Sequence, residues 1–279
     1  MLLSTPLYGM GFEKCNPHKN HIFDTNLKDM RATRSSNPAL SGRILEQVSR
    51  GTADTGVMTI NGTINKVGLM LLLVIAAAAY TWNRVTASAP GNMGIYAIGG
   101  AIGGFITAII TVFRPRSSPV TGPIYAILEG LFLGSITAVI NKAYPGVAFQ
   151  AVLLTIGTLF TMLFLYRSKR IRATPRFRRG VFMATGAVFF AYLVSWIMSL
   201  LGVPVGYMNS GGTVGIIINL VIIVIAALNL IMDFDFIERG AGMGAPKFME
   251  WYGAFGLMVT LIWLYIEFLR LLARFGNRG

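Results

Sequence analysis

The chain has 279 residues, 54% hydrophobic and only 13% charged, with a formal net charge of +13. A soluble domain carries about 25% charged residues, so this composition, with a mean hydropathy of +0.63, excludes a water-soluble globular fold. The lone cysteine, Cys15, excludes an internal disulfide, and the only histidines, His18 and His21, lie in the same N-terminal stretch, away from every apolar segment.

Residues 1–65 are polar, mixed in charge and without sustained periodicity, and read as a flexible N-terminal tail. The opening "MLLSTPLYGMGFEKCN" lacks the charged start and apolar core of a signal peptide. Met30, which opens "MRATRSSNPAL", offers a second start.

Seven apolar runs follow, at about Val67–Trp82, Met93–Phe113, Pro123–Ile140, Val147–Tyr166, Gly180–Leu201, Val214–Phe236 and Phe248–Leu272. Most approach the roughly 18 to 20 residues that span a bilayer. Backbone groups in lipid must be satisfied within a helix or a closed barrel, and the short alternating strands of a barrel are missing. The expected fold is therefore an all-α integral membrane protein with seven transmembrane helices over 66–274, followed by a short C-terminal tail, 275–279.

The excess of basic residues resembles a nucleic-acid signal, but its distribution fits a membrane better. Lysines and arginines crowd the tail, the second-to-third loop (Arg114, Arg116), the fourth-to-fifth loop "YRSKRIRATPRFRRG" and the sixth-to-seventh loop (Arg239, Lys247). Alternate loops carry only Arg84 and Lys142. The positive-inside rule then puts the N-terminus in the cytoplasm. The C-terminus falls outside if all seven runs span, and inside if the seventh is re-entrant. No nucleic-acid partner is expected. The arginine-rich loop acts as a topology anchor and also suits anionic lipid headgroups.

A charge near the bilayer centre costs about 2.5 to 3.5 kcal/mol on insertion scales and usually marks a pathway or relay. Glu129, in "GPIYAILEGLFLG", is the deepest acid. It reads as a proton or cation ligand, or as one half of a lock with Arg270 in the last run. Gly130 and Gly134 stand four apart, a spacing that lets helices approach closely. In the sixth run, Asn219, Asn229 and Asp233 fall within about 80° on a helical wheel and form a polar stripe. Asp235 points about 200° from Asp233 and stands four residues before Arg239, the spacing of an intrahelical ion pair. Asp233 is thus the better pathway residue and Asp235 the better interfacial one. In the seventh run Glu250 lies near the entry, and Glu267 near the far end, three residues before Arg270. Walker A, G-x-S-x-G, H-E-x-x-H and Cys/His spacings are missing, so no enzyme activity and no cofactor are expected. The glycines of "GNMGIYAIGGAIGGF" read as helix packing.

"PIYAILEGLFLGSIT", "YPGVAFQAVLLTIGTLF" and "MDFDFIERG" followed by "APKFMEWYGAFGLMVTLIWLYIEFLRLL" together resemble a bacterial, YccA-like branch of the Bax inhibitor (transmembrane Bax inhibitor motif) family, over about residues 35 to 275. The resemblance implies a central seventh helix wrapped by the other six, in the bacterial inner membrane. It also implies a pH-sensitive calcium leak, in which aspartates of the sixth and seventh helices share a proton and control opening. Asp233 or Asp235 matches the first aspartate. The second would fall near Thr260 or Leu261, where this chain has no acid, so Glu250 or Glu267 would have to substitute. The expected function is a pH-sensitive leak for cations, with calcium as permeant ion and Asp233 as its possible ligand. The alternative is a non-conducting partner that modulates a membrane protease or secretion machinery.

Overall fold

The computed structural model describes residues 56–87, 93–202 and 212–276. They form an all-α membrane protein with seven helices long and apolar enough to span a bilayer. These are α1 (Ile60–Ala87), α2 (Met93–Phe113), α3 (Ser118–Ala143), α4 (Val147–Arg167), α5 (Pro175–Leu200), α6 (Thr213–Gly242) and α7 (Met249–Gly276), with one 3-10 turn, Pro115–Ser117, leading into α3.

Helix limits differ from the apolar runs where local chemistry carries the helix beyond them. α1 starts at Ile60 because the Thr59 hydroxyl accepts the Gly62 N–H at 3.0 Å, closing its first turn. The tail expected over 1–65 lies outside the described residues through residue 55. Its end is built into the bundle: Met58 N–H donates to the Ala245 carbonyl at 2.7 Å, and Val57 bridges to Pro246. α3 begins at Ser118 rather than Pro123 and carries that proline inside it. Its start is fixed by the Ser118 hydroxyl, which donates to the Phe248 carbonyl at 3.0 Å. α5 begins five residues before Gly180, with Thr174 accepting the Phe177 N–H at 3.2 Å and Pro175 in the first turn. α6 runs on to Gly242. Asp233 and Asp235 therefore lie inside a helix and not at its end. The tight turn between α3 and α4 rests on Gly146, whose φ of 90° suits glycine.

The bundle is organised on α7. It packs against α1, α3, α4 and α6, and 61% of its apolar window is buried, against 6% for α5, which makes α7 central and α5 peripheral. Met258, Leu264 and Leu269 of α7 join Met70 of α1 and Leu230 of α6 in the core. The large apolar side chains left exposed on α2, α4 and α5 are what a lipid-facing surface requires. α1 and α3 make the closest backbone approach. A Cβ on Gly130 would come within 2.6 Å of the Val74 carbonyl oxygen, and one on Gly134 would meet the Ala78 backbone. The small-residue spacing read from sequence thus serves the α1–α3 crossing. Gly100 of α2 plays the same part, with Leu128 and Phe132 of α3 in the space its Cβ would need.

Candidate functional site

The polar groups inside the bundle separate into three levels along α6 and α7. At the level of the basic loops, Glu250 is fully buried at the start of α7. Its Oε1 accepts the Thr59 N–H and the Thr59 hydroxyl, each at 2.9 Å, and pairs with Lys247 at 2.9 Å. Its Oε2 pairs with Lys66 of α1. A Cβ on Gly62 would overlap this carboxylate, so the glycine makes the room that lets α1 close over Glu250. Lys66 also stands over the Trp251 ring, 5.5 Å from its centroid. A buried carboxylate with this many donors is a satisfied charge, and it fastens α1 to α7.

Asp233 occupies the middle level, about 14 Å along the axis from the end of α6 at 1.5 Å per residue. Its Oδ2 is sealed from solvent and has no hydrogen-bond partner among the described residues. Its Oδ1 faces Gly256 of α7, at 3.8 Å from where a Cβ would stand. Thr260, one turn on, is buried, and its hydroxyl bonds to its own helix at Gly256 O, 3.3 Å away. The acid-free position inferred near Thr260 or Leu261 is therefore the stretch of α7 next to Asp233. Asp233, Asn229, Tyr252 and Gly256 line one cavity of about 450 Å³, with Ala108 and Val112 of α2 also on its wall. Asn229 also turns to α5, donating to the Thr185 hydroxyl at 2.8 Å.

At the far level Glu267 is again almost fully buried. It accepts from Asn219 Nδ2 at 2.7 Å and from the Tyr192 hydroxyl at 2.8 Å, and pairs with Arg270 at 3.3 Å. The Arg270 guanidinium lies over the Tyr192 ring at 5.0 Å. This cluster joins α5, α6 and α7.

Several expectations change against this geometry. The Arg270 partner is Glu267, as its three-residue spacing allowed, and a Glu129–Arg270 lock is not formed. Glu129 instead lies against Gly104 of α2, where a Cβ would sit 2.8 Å from its Oε1, and it has no ion pair among the described residues. Neither Glu250 nor Glu267 substitutes as a second acid for Asp233. They stand about 15 Å and about 10 Å from Thr260 along α7, each held by its own cluster. Asp235 forms the expected pair with Arg239 and also one with Arg178 of α5 at 3.0 Å. Asp235 is thus taken up in ion pairs with α5 and its own helix, while Asp233 faces α7. Asp233 as a resident calcium ligand lacks companions. Among the described residues no group of three acids, histidines or cysteines comes together, whereas calcium takes 6 to 8 oxygens.

Thr59, Lys66, Tyr192 and Thr185 enter these clusters without a motif in the sequence that marks them. Thr59 carried a faint signal, a threonine three residues before a helical glycine. The others gave none, because their partners stand on distant helices. A family model described as Bax inhibitor 1 like matches residues 20–277. No curated protein matches the chain, and no solved structure does.

Proposed function

The chain belongs to the Bax inhibitor 1 like family, and from that membership we propose that it is a pH-sensitive cation leak, with calcium as the permeant ion and Asp233 as its sensor. The observation that carries this reading is the position of Asp233. A carboxylate deep in a spanning helix is costly unless it is used. This one lines a cavity of about 450 Å³ and keeps one oxygen unpartnered among the described residues. Its neighbours on the central helix, Gly256 and Thr260, are small enough to let that helix move past it. The clusters at Glu250 and Glu267 hold the two ends of α7, so a shift of α7 past Asp233 has to loosen one of them. On this reading the proton is held by Asp233 alone, because the facing stretch of α7 offers a threonine and a glycine. The membrane is the bacterial inner membrane, with the N-terminus in the cytoplasm, where the basic loops would lie.

The test is calcium flux into liposomes across pH 6 to 8, with wild-type protein and Asp233→Asn side by side. The expected result is a pH-dependent flux that the substitution renders pH-independent. Unchanged flux and pH response in Asp233→Asn would remove the role. The missing second acid favours the alternative, a non-conducting partner of a membrane protease or secretion machine. Flux at the liposome background at every pH, with co-purification of a membrane protease, would establish that reading instead.

A further inference from the structure

A cavity of about 910 Å³ opens beside the α4–α5 loop, away from Asp233. Its walls are α1 and α4, which make at most marginal contact with each other, and its floor is α6 and α7. The interior is apolar, formed by Ile64, Val67, Leu159, Leu163, Phe234 and Leu257. Its mouth carries Arg167, Lys169 and Arg172, all exposed and none in an ion pair with another described residue. The two acids on the lining are already engaged. Asp235 is held by Arg178 and Arg239, and Glu238 accepts the Tyr166 hydroxyl.

Lys169 carries a second, independent indication. It sits at the end of α4 with φ 56°, the only non-glycine residue with positive φ among those described. Its N–H closes the helix on the Tyr166 carbonyl at 3.0 Å. Glycine is the residue that adopts this conformation without steric cost. The chain places a lysine there and so keeps an ammonium at the mouth of the cavity.

We propose that this chamber binds one anionic phospholipid from the leaflet on the side of the basic loops, its phosphate held by Arg167, Lys169 and Arg172 and an acyl chain lying between α1 and α4. The two halves of the site match the two halves of such a molecule. A soluble phosphate would leave the apolar chamber uncovered, and a zwitterionic phospholipid would bring its own cation up against the three basic residues. Guanidinium groups at positions 167 and 172 suit a phosphate by geometry as well as charge. Glu238, on the α6 side, repels the headgroup toward the α4–α5 loop. The bound lipid would wedge α1 from α4 next to the Asp235 ion pairs. The site does not depend on whether the protein conducts.

Native mass spectrometry of the full-length protein tests this with phosphatidylglycerol and phosphatidylcholine of identical acyl chains. Wild type retains phosphatidylglycerol in preference. Removing basic residues weakens that retention by about fivefold for each charge. Lys169→Gly is the most informative variant, since it removes a charge while easing the positive-φ backbone at that position. The triple variant Arg167→Ala/Lys169→Gly/Arg172→Ala abolishes the preference. Leu163→Trp, which fills the chamber without touching the charges, also lowers phosphatidylglycerol retention. Equal retention of the two lipids by wild type would overturn the proposal, as would a preference that survives the triple variant or Leu163→Trp. Displacement of phosphatidylglycerol by equimolar glycerol 3-phosphate would also overturn it, by pointing to a soluble phosphate site.

Discussion

Replacing Lys66 with methionine keeps most of the aliphatic stem and removes one of the two cations on a fully buried carboxylate. Glu250 has no exposure of its own, while Lys66 is 19% exposed and Lys247 46% exposed. Breaking a buried pair from one side costs about 3 to 5 kcal/mol when the remaining charge is left uncompensated. Here the loss is partial. Lys247 and the two Thr59 donors stay, but Lys247 is half in solvent and contributes as a surface pair does, about 1 kcal/mol or less. The expected destabilisation for Lys66→Met is therefore roughly 2 to 3 kcal/mol, at or just below the lower edge of the buried range. Glu250→Gln should cost less, about 1 to 2 kcal/mol, because it keeps an acceptor for Thr59 and leaves Lys66 close enough to water to rehydrate. If the two groups act on each other, the double variant costs less than the sum of the singles, by about 1 kcal/mol or more. Equilibrium unfolding of the purified protein in mild detergent measures the free energies. Hydrogen exchange over residues 57–66 checks the location, since the start of α1 should open first. Single variants within about 0.5 kcal/mol of wild type, with additive energies, would refute the view that Glu250 fastens α1 to α7.

Three further outcomes follow from the same geometry. Gly134→Leu should destabilise the bundle by about 3 kcal/mol or more, since the added side chain meets the Ala78 backbone with no room to repack, and unfolding in detergent reads this directly. Asn219→Ala removes a 2.7 Å donor from buried Glu267 and should cost about 1 to 3 kcal/mol; unchanged stability would mean that Tyr192 and Arg270 satisfy the carboxylate alone. Asp235→Asn should cost about 1 kcal/mol or less, because Arg178 and Arg239 are part-exposed, and it should leave the flux response to pH intact, in contrast to Asp233→Asn in the same assay.

Much of this protein follows from one-dimensional properties of its chain. Seven apolar runs without the short alternating strands of a barrel must become helices in lipid, because only those two forms satisfy the backbone there. The i to i+4 relation of Asp235 to Arg239 and the three-residue step from Glu267 to Arg270 produce ion pairs within a single helix, so spacing alone was enough to find them. The glycines at 130 and 134 announced a close crossing in the same way. The wheel that separated Asp233 from Asp235 also held, since helical phase is a local quantity.

What spacing could not supply was the partner across space. Glu129 and Arg270 looked like a lock because both are charges in apolar runs, yet α3 turns Glu129 toward Gly104 of α2, and Arg270 is taken by its own helix and by Tyr192 of α5. Glu250 looked like a substitute for a missing acid, but the ends of α1 and α7 meet around it and make it a fastening. The partners of Asp233 on α7, a glycine and a threonine, carry no charge that would draw attention in a sequence. Helical periodicity is written into the chain by the backbone. Which helix faces which, and so whether a buried carboxylate is paired or left open, is decided only when seven helices share one bundle and each side chain competes for the same few donors.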